Sequence, residues 1–318
     1  MIRWGIIGSG DWFERYHIPV LNKLVQNNEI TLAGVWNRTV EKAEVLARRH
    51  SIAHVYKTVD QLLSDTSLDC LSIVLNKSIA DDYIKKAAQK GLPFITEKPP
   101  AGTYAAAKEL LSIVGSLPHI VGFNRRYMQL IKHAKDYITP SLHGYEFNMW
   151  RSNRIDTRYV FETGIHALNL VEYLFGPAIQ VQIITKFPIA KTAPALLLKL
   201  THATCTGYIN FQTQGKDSRE HLRIFCSERL IELFIKQPLA SDHNELLRVF
   251  TQGSWKILSE NSTFADECDA FGFTSEYREM IDILSGKGKS QSTMQTSLAC
   301  MRIAEWTESA SAGDILTL

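Results

Sequence analysis

The chain opens with IRWGIIGSGDWF, and no other stretch constrains the fold as strongly. Ile2, Trp4, Ile6 and Ile7 read as a buried strand, and Gly8-Ser9-Gly10 follows at once. A strand running straight into a Gly-x-Gly turn and then a helix is the start of a βα unit that can cradle phosphates. Gly8 permits the tight turn. Gly10 carries no side chain, so a pyrophosphate can approach the backbone and the helix N-terminus behind it. Gly8, Ser9, Gly10, Asp11, Trp12 and Phe13 are the candidate cradle. Such loops usually place a third glycine or alanine where this chain has Phe13, and its ring requires a displaced helix.

The first ~123 residues continue the alternation of strand and helix that marks βαβ units and a parallel sheet. Ile30–Asn37 is a β-branched run, and Val40–His50 has helical spacing after Thr39, an N-cap candidate. Leu68–Leu75 reads as a buried strand, Ile79–Lys90 as a helix stopped by Gly91, and a short strand begins over Pro93–Thr96. Ala105–Gly115 is an Ala/Leu-rich helix, with a strand at His119–Gly122. Beyond about residue 124 the texture changes. A helix over Leu130–Tyr137 leads to a strand at Gly144–Arg151, and Phe161–Phe175 is helical up to Gly176-Pro177. Strand-like runs follow without helices between them: 179–187, 195–202, 206–213, 221–226, 229–235 and 245–251. Such a succession predicts one open mixed or antiparallel sheet. Two helices, over 275–284 and 293–312, close the chain. The expected class is α/β: a doubly wound domain over 1–123 and an α+β domain over 124–318 for substrate and oligomerisation, with the last helix able to pack back on the first domain.

Composition excludes several classes. With 318 residues, 45% hydrophobic and 21% charged, the chain matches globular proteins and can bury two cores. A net charge of +2 is too mild for a nucleic-acid partner. The five cysteines are scattered without a CxxC, against a disulfide framework or zinc site, so no metal is expected and a reducing cytoplasm fits. Strand-like residues at the very start predict no signal peptide, and no apolar run approaches the roughly 18–20 residues of a membrane span. Neither GxSxG nor HExxH is present, so a hydrolase finds no support.

Further motifs sit where an open α/β sheet binds ligands. After the second strand, a position that usually carries Asp or Glu for the ribose 2′-OH holds neutral Asn37, followed by Arg38 and Thr39. A guanidinium can pair bidentately with a 2′-phosphate and stack on adenine, which favours NADP(H), with NAD(H) as the alternative. Glu97-Lys98-Pro99-Pro100 ends a predicted parallel strand, where proline-restricted backbone would hold Lys98 rigidly. Glu162 and His166 are four residues apart, on one face of a predicted helix. The preceding loop, Trp150 to Tyr159, carries Arg151, Arg154 and Arg158. Arginines in a substrate site would favour a carboxylate or phosphate, as in a sugar acid or nucleotide sugar.

Gly8-x-Gly10, the Glu97-Lys98-Pro99 triplet, residues 122–127 (GFNRRY) and Glu162-x-x-x-His166 resemble, in order and spacing, the glucose–fructose oxidoreductase / inositol dehydrogenase / rhizopine catabolism family over nearly the whole chain. The resemblance implies a Rossmann domain, a C-terminal sheet domain, and a homodimer or homotetramer built through that sheet. It implies an oxidoreductase using nicotinamide on a sugar, cyclitol or related carbonyl compound. Lys98 then donates a hydrogen bond to the reacting oxygen, His166 exchanges the hydroxyl proton, and Glu162 orients the imidazole. Leu75, Asn76, Glu97 and Asn124 would join the cofactor contacts, and Arg126, Trp150, Arg151, Arg154, Arg158 and Tyr159 the substrate contacts. Two departures stand out. Leu75-Asn76-Lys77-Ser78-Ile79-Ala80 replaces the family's Thr-Pro-Asn-x-x-His run, and Glu162 replaces its usual Asp. A competing class is a non-catalytic nicotinamide-binding regulator of the same fold. Loss of the lysine or histidine would favour it, and this chain keeps both.

Overall fold

The computed structural model describes the chain except residues 152–153, 157, 190–191, 215–217, 238–244 and 261–266. Ser152, Asn153 and Thr157 of the arginine-rich loop therefore lie outside the described residues. The chain forms two compact units, residues 1–124 with 272–298, and residues 125–271 with 299–318.

The first unit is built on six parallel strands: β1 (Ile2–Ile7), β2 (Ile30–Trp36), β3 (His54–Val55), β4 (Cys70–Ile73), β5 (Phe94–Glu97) and β6 (His119–Gly122). Their order, β3-β2-β1-β4-β5-β6, is the doubly wound order, with the topological switch between β1 and β4 where ligands bind beyond the strands' C-terminal ends. Trp4, Ile6, Ile7, Phe94 and Ile95 are fully buried, as strands covered on both faces require. The crossovers use α1 (Ile18–Gln26), α2 (Val40–His50), α3 (Val59–Leu63), α4 (Lys77–Gln89) and α5 (Tyr104–Val114). α2 buries Ala43, Leu46 and Ala47, and α5 buries Ala107, Leu110 and Val114, each an apolar stripe three to four residues apart. α4 starts two residues before its expected Ile79, because the Asn76 side chain caps it by accepting from the Ser78 N–H at 3.0 Å. Thr39 precedes α2 in extended conformation but makes no side-chain capping bond.

Between the glycine loop and α1 the backbone makes a π turn, Phe13–His17. This is how Phe13 is accommodated. The extra residue of an i→i+5 turn displaces the helix, and the ring is fully buried, stacked 5.8 Å from His17 at 4°.

The second unit carries α6 (Gln129–Lys135), β7 (Leu142–Trp150), α7 (Ile165–Phe175), β8 (Ala178–Ile189), β9 (Thr192–His202), β10 (Thr206–Gln212), β11 (Arg219–Cys226), β12 (Arg229–Ile235), β13 (Leu246–Thr251), β14 (Ser254–Glu260) and α8 (Glu267–Ala270). Then α9 (Phe273–Leu284) lies in the first unit, α10 (Met294–Ser309) runs from the first into the second, and β15 (Ile315–Thr317) ends the chain in the second. The nine-stranded sheet has the order β14-β13-β12-β11-β7-β10-β9-β8-β15. It is mixed: β7 and β10 run parallel, and the remaining pairs are antiparallel. Some features differ from expectation, among them the unexpected short helix α8. The helix over 161–175 begins with a second π turn, Val160–Gly164, and is α-helical only from Ile165. The closing helix ends at Ser309 rather than 312. β14 and β15 are additional strands.

Candidate functional site

Gly8 follows β1 with φ +98, and a Cβ there would lie 2.3 Å from the Val74 carbonyl oxygen. Only glycine fits where the loop presses on the neighbouring strand end. Gly10 is the opposite case: a Cβ would meet nothing within 4 Å, so the loop's outer face is open. Between them, Ser9 is buried and its Oγ has no hydrogen-bond partner. An orphaned hydroxyl under an open glycine, at the head of a helix spanning 11–26, fits a pyrophosphate that supplies acceptors. Asp11 is exposed at that helix start.

At the end of β2, Asn37 is half-buried and donates to the Thr39 carbonyl at 3.1 Å. Arg38 and Thr39 are exposed, and Trp36 packs 5.2 Å from Tyr83. Leu75 lies against Gly8, and the Asn76 oxygen is used in capping α4.

Glu97 closes β5, and its carboxylate gathers three donors. Oε1 accepts from Trp12 Nε1 at 2.9 Å and from His17 Nε2 at 3.0 Å, and Oε2 from the Lys98 backbone N–H at 3.2 Å. Burial pushes this carboxyl up, but the His17 hydrogen bond, the Lys98 charge and the Trp12 indole together hold it below the usual range. Lys98 is half-buried and enters a cis bond to Pro99. His17, Ser72, Glu276 and Tyr277 join this region without a sequence signal pointing to them. Each lies far along the chain from Glu97, in a segment with no motif of its own.

In the second unit, Glu162 sits in the π turn before α7 and His166 in the first turn of α7, half-buried and buried respectively. The i→i+5 turn changes the register that an uninterrupted α-helix would give to a four-residue spacing. The Glu162 N–H donates to the Arg158 carbonyl at 2.9 Å.

The arginines of the preceding loop are engaged within this unit. Arg151 joins Arg125 around the fully buried Glu220, with Arg125 Nε donating at 2.8 Å. Burial pushes Glu220 up, yet the two guanidiniums outweigh it and bring its carboxyl down to about 2. Arg154 pairs with Asp156 at 3.0 Å and donates to Thr163 Oγ1 at 2.9 Å. Arg158 donates to Glu308 at 2.9 Å and lies 4.2 Å over Phe161. Arg126 donates to Asn169 at 2.6 Å and covers Tyr173 at 5.3 Å. Tyr159 is buried edge-on to Phe211, and burial pushes its phenol up. Trp150 ends β7, and Asn124 is buried at the end of the first unit's main segment. A residue that the sequence did not mark is Glu172, whose carboxyl burial raises to about 7.

Among the described residues no helix is long and apolar enough to cross a membrane. Residues 2–124 match the oxidoreductase family with an NAD-binding Rossmann fold. An uncharacterised protein of Saccharomyces cerevisiae is 33% identical over 138 residues, covering 42% of this chain and 39% of that one. An inositol 2-dehydrogenase/D-chiro-inositol 3-dehydrogenase of Lacticaseibacillus casei is 30% identical over 148 residues, 45% of this chain and 42% of that one. The matches thus span about two-fifths of those relatives. Among solved structures, a dehydrogenase from Clostridium difficile superposes with a TM-score of 0.83, covering 96% of this chain and 98% of that one at 18% identity. At that identity the likeness is one of fold.

Proposed function

We propose that the chain, whose residues 2–124 match the oxidoreductase family with an NAD-binding Rossmann fold, is an NADP(H)-dependent oxidoreductase acting on a hydroxyl or carbonyl of a sugar, cyclitol or sugar derivative. The observation that carries the reading is the loop after β1: a glycine at φ +98, an open face at Gly10, and a buried Ser9 hydroxyl without a partner. Asn37 and the exposed Arg38 support a preference for the 2′-phosphorylated cofactor.

A bound nicotinamide would supply the hydride donor or acceptor. The chain's own residues do the rest. The loop from Gly8 to Trp12 would hold the pyrophosphate, with Phe13, expected in the cradle, packed inward instead. Lys98 donates a hydrogen bond to the reacting oxygen, which stabilises the charge that builds there. His166 takes the hydroxyl proton during oxidation and returns it during reduction, and Glu162 orients the imidazole. Arg126, Arg154, Arg158 and Tyr159 lie near His166 in sequence or on the elements around it and are the candidates for substrate contacts.

The sheet of the second unit supports self-association. Ile179, Phe187, Tyr208, Trp255 and Ile257 are exposed at 50, 62, 40, 40 and 56%. Large apolar residues repeated along one sheet are a surface that a second copy of the chain can cover.

The reading is tested by a polyol and sugar screen with NADP+, run on wild type and Lys98→Met. The variant should bind NADPH within about threefold of wild type and lose about 10²–10⁴ in turnover. Undiminished turnover would remove the role given to Lys98.

A further inference from the structure

Glu97 is the meeting point of the glycine loop, through Trp12, and the Lys98 backbone. Behind it runs a buried chain of polar side chains drawn from four other segments of the first unit. Trp4 Nε1 lies 2.8 Å from Ser72 Oγ, Ser72 Oγ 2.9 Å from the Tyr277 hydroxyl, that hydroxyl 3.0 Å from His17 Nδ1, and His17 Nε2 3.0 Å from Glu97 Oε1. Trp4, His17, Ser72 and Tyr277 are all fully buried.

The direction of every bond in this chain follows from which groups can donate. An ionised carboxylate only accepts, so His17 Nε2 carries a proton. An indole N–H only donates, so Ser72 Oγ accepts from Trp4. The two hydroxyl protons between them have one arrangement that leaves none unused. Ser72 donates to Tyr277, and Tyr277 donates to a bare His17 Nδ1. A proton on Nδ1 would reverse both bonds and leave the Ser72 hydroxyl with no acceptor among the described residues. Aligned in one direction, such bonds polarise and strengthen one another.

We propose that His17, Tyr277 and Ser72 are positioning residues: they hold the Glu97 carboxylate in place, and through it keep Lys98 in register with the dinucleotide loop. The proposal rests on the reading of Lys98 as the group that meets the substrate oxygen. The π turn has a part in this. It inserts the residue that lets Phe13 pack inward while His17, four residues on, still reaches Glu97. Trp12 sits inside the loop that would take the pyrophosphate, so filling that loop bears on Glu97 and on the Lys98 N–H bonded to its other oxygen.

The test uses the 15N-labelled full chain, first without cofactor and then with NADPH. In the cofactor-free protein the His17 ring should show the Nε2–H tautomer. Tyr277→Phe, which removes one hydroxyl, should shift the Trp12 indole resonance and speed exchange of the Lys98 amide about tenfold, while amides of Ile6 and Ile95 in the sheet keep wild-type exchange. His17→Phe should do the same, and His17→Gln, whose amide can still donate to Glu97, should restore most of the protection. With NADPH, the Lys98 amide should shift in wild type and shift less in Tyr277→Phe. An Nδ1–H tautomer, unchanged Lys98 exchange in both variants, or loss of protection throughout the sheet would overturn the proposal. Failure of wild type to bind NADPH or NADH would instead overturn the functional reading beneath it, and the cofactor-free spectra separate the two failures.

Discussion

Gly8 and Gly10 stand two residues apart and answer to different constraints. Gly8 is held at φ +98 with the Val74 carbonyl where its Cβ would go, so Gly8→Ala should cost about 2 kcal/mol or more and lower the melting temperature by several degrees. Gly10 has open space in the same test, so Gly10→Ala should melt with wild type yet weaken NADPH binding at least about tenfold, because the added methyl occupies the phosphate's approach. Calorimetry with cofactor titration separates them, and equal melting of both variants would contradict the account of Gly8. Glu276 poses a different question. It is fully buried beside Gly122, neither carboxyl oxygen has a hydrogen-bond partner, and burial, then the Glu97 and Glu279 charges, push it well above the usual 4.5. The folded protein therefore keeps a proton that the unfolded chain releases above about pH 4.5, so stability falls as pH rises from there toward the folded value. Glu276→Leu should remove that slope and gain about 1–3 kcal/mol at pH 8, read by urea denaturation at pH 5 and pH 8. An identical pH slope in the variant would mean that Glu276 is ionised in the fold.

At the level of elements, the first unit was legible because βαβ alternation writes itself as long apolar periodicities punctuated by Gly91 and Gly115, which do end α4 and α5. Boundaries moved where pairing or capping set them: β4 is confined to Cys70–Ile73 by its neighbours, and Asn76 starts α4 early. The π turns at 13–17 and 160–164 were not legible, since an inserted residue leaves the apolar pattern of a helix nearly intact. Phe13 in a glycine's place was the one trace of the first. β14 escaped because its SWKILSE sequence is polar and half-exposed, and β15 because three residues carry no period. The Glu97 network was invisible for a related reason. Directly bonded members lie as much as 260 residues apart, and only the fold brings them to one place. The sequence offers the arginines of the 150–159 loop as substrate contacts, but Arg151 meets Glu220 and Arg158 meets Glu308, partners that no local pattern announces.

For the molecule as a whole, the exposed apolar residues of the nine-stranded sheet make oligomerisation a question of mass. Light scattering on the 36.0 kDa chain should give a multiple of that mass. Phe187→Asp with Tyr208→Asp should move it toward a single chain without lowering the melting point of the first unit. A wild-type monomer would contradict association through this sheet. The central claim, that the loop after β1 cradles an NADP(H) pyrophosphate with Arg38 on the 2′-phosphate, is tested most directly by titrating wild type and Arg38→Ala with NADPH and NADH. Quenching of Trp12, in the loop itself, reports the binding. The expected result is tight NADPH binding by wild type, weakened at least about tenfold (about 1.4 kcal/mol) by Arg38→Ala, with NADH affected little. Binding of neither nucleotide by wild type would contradict the claim.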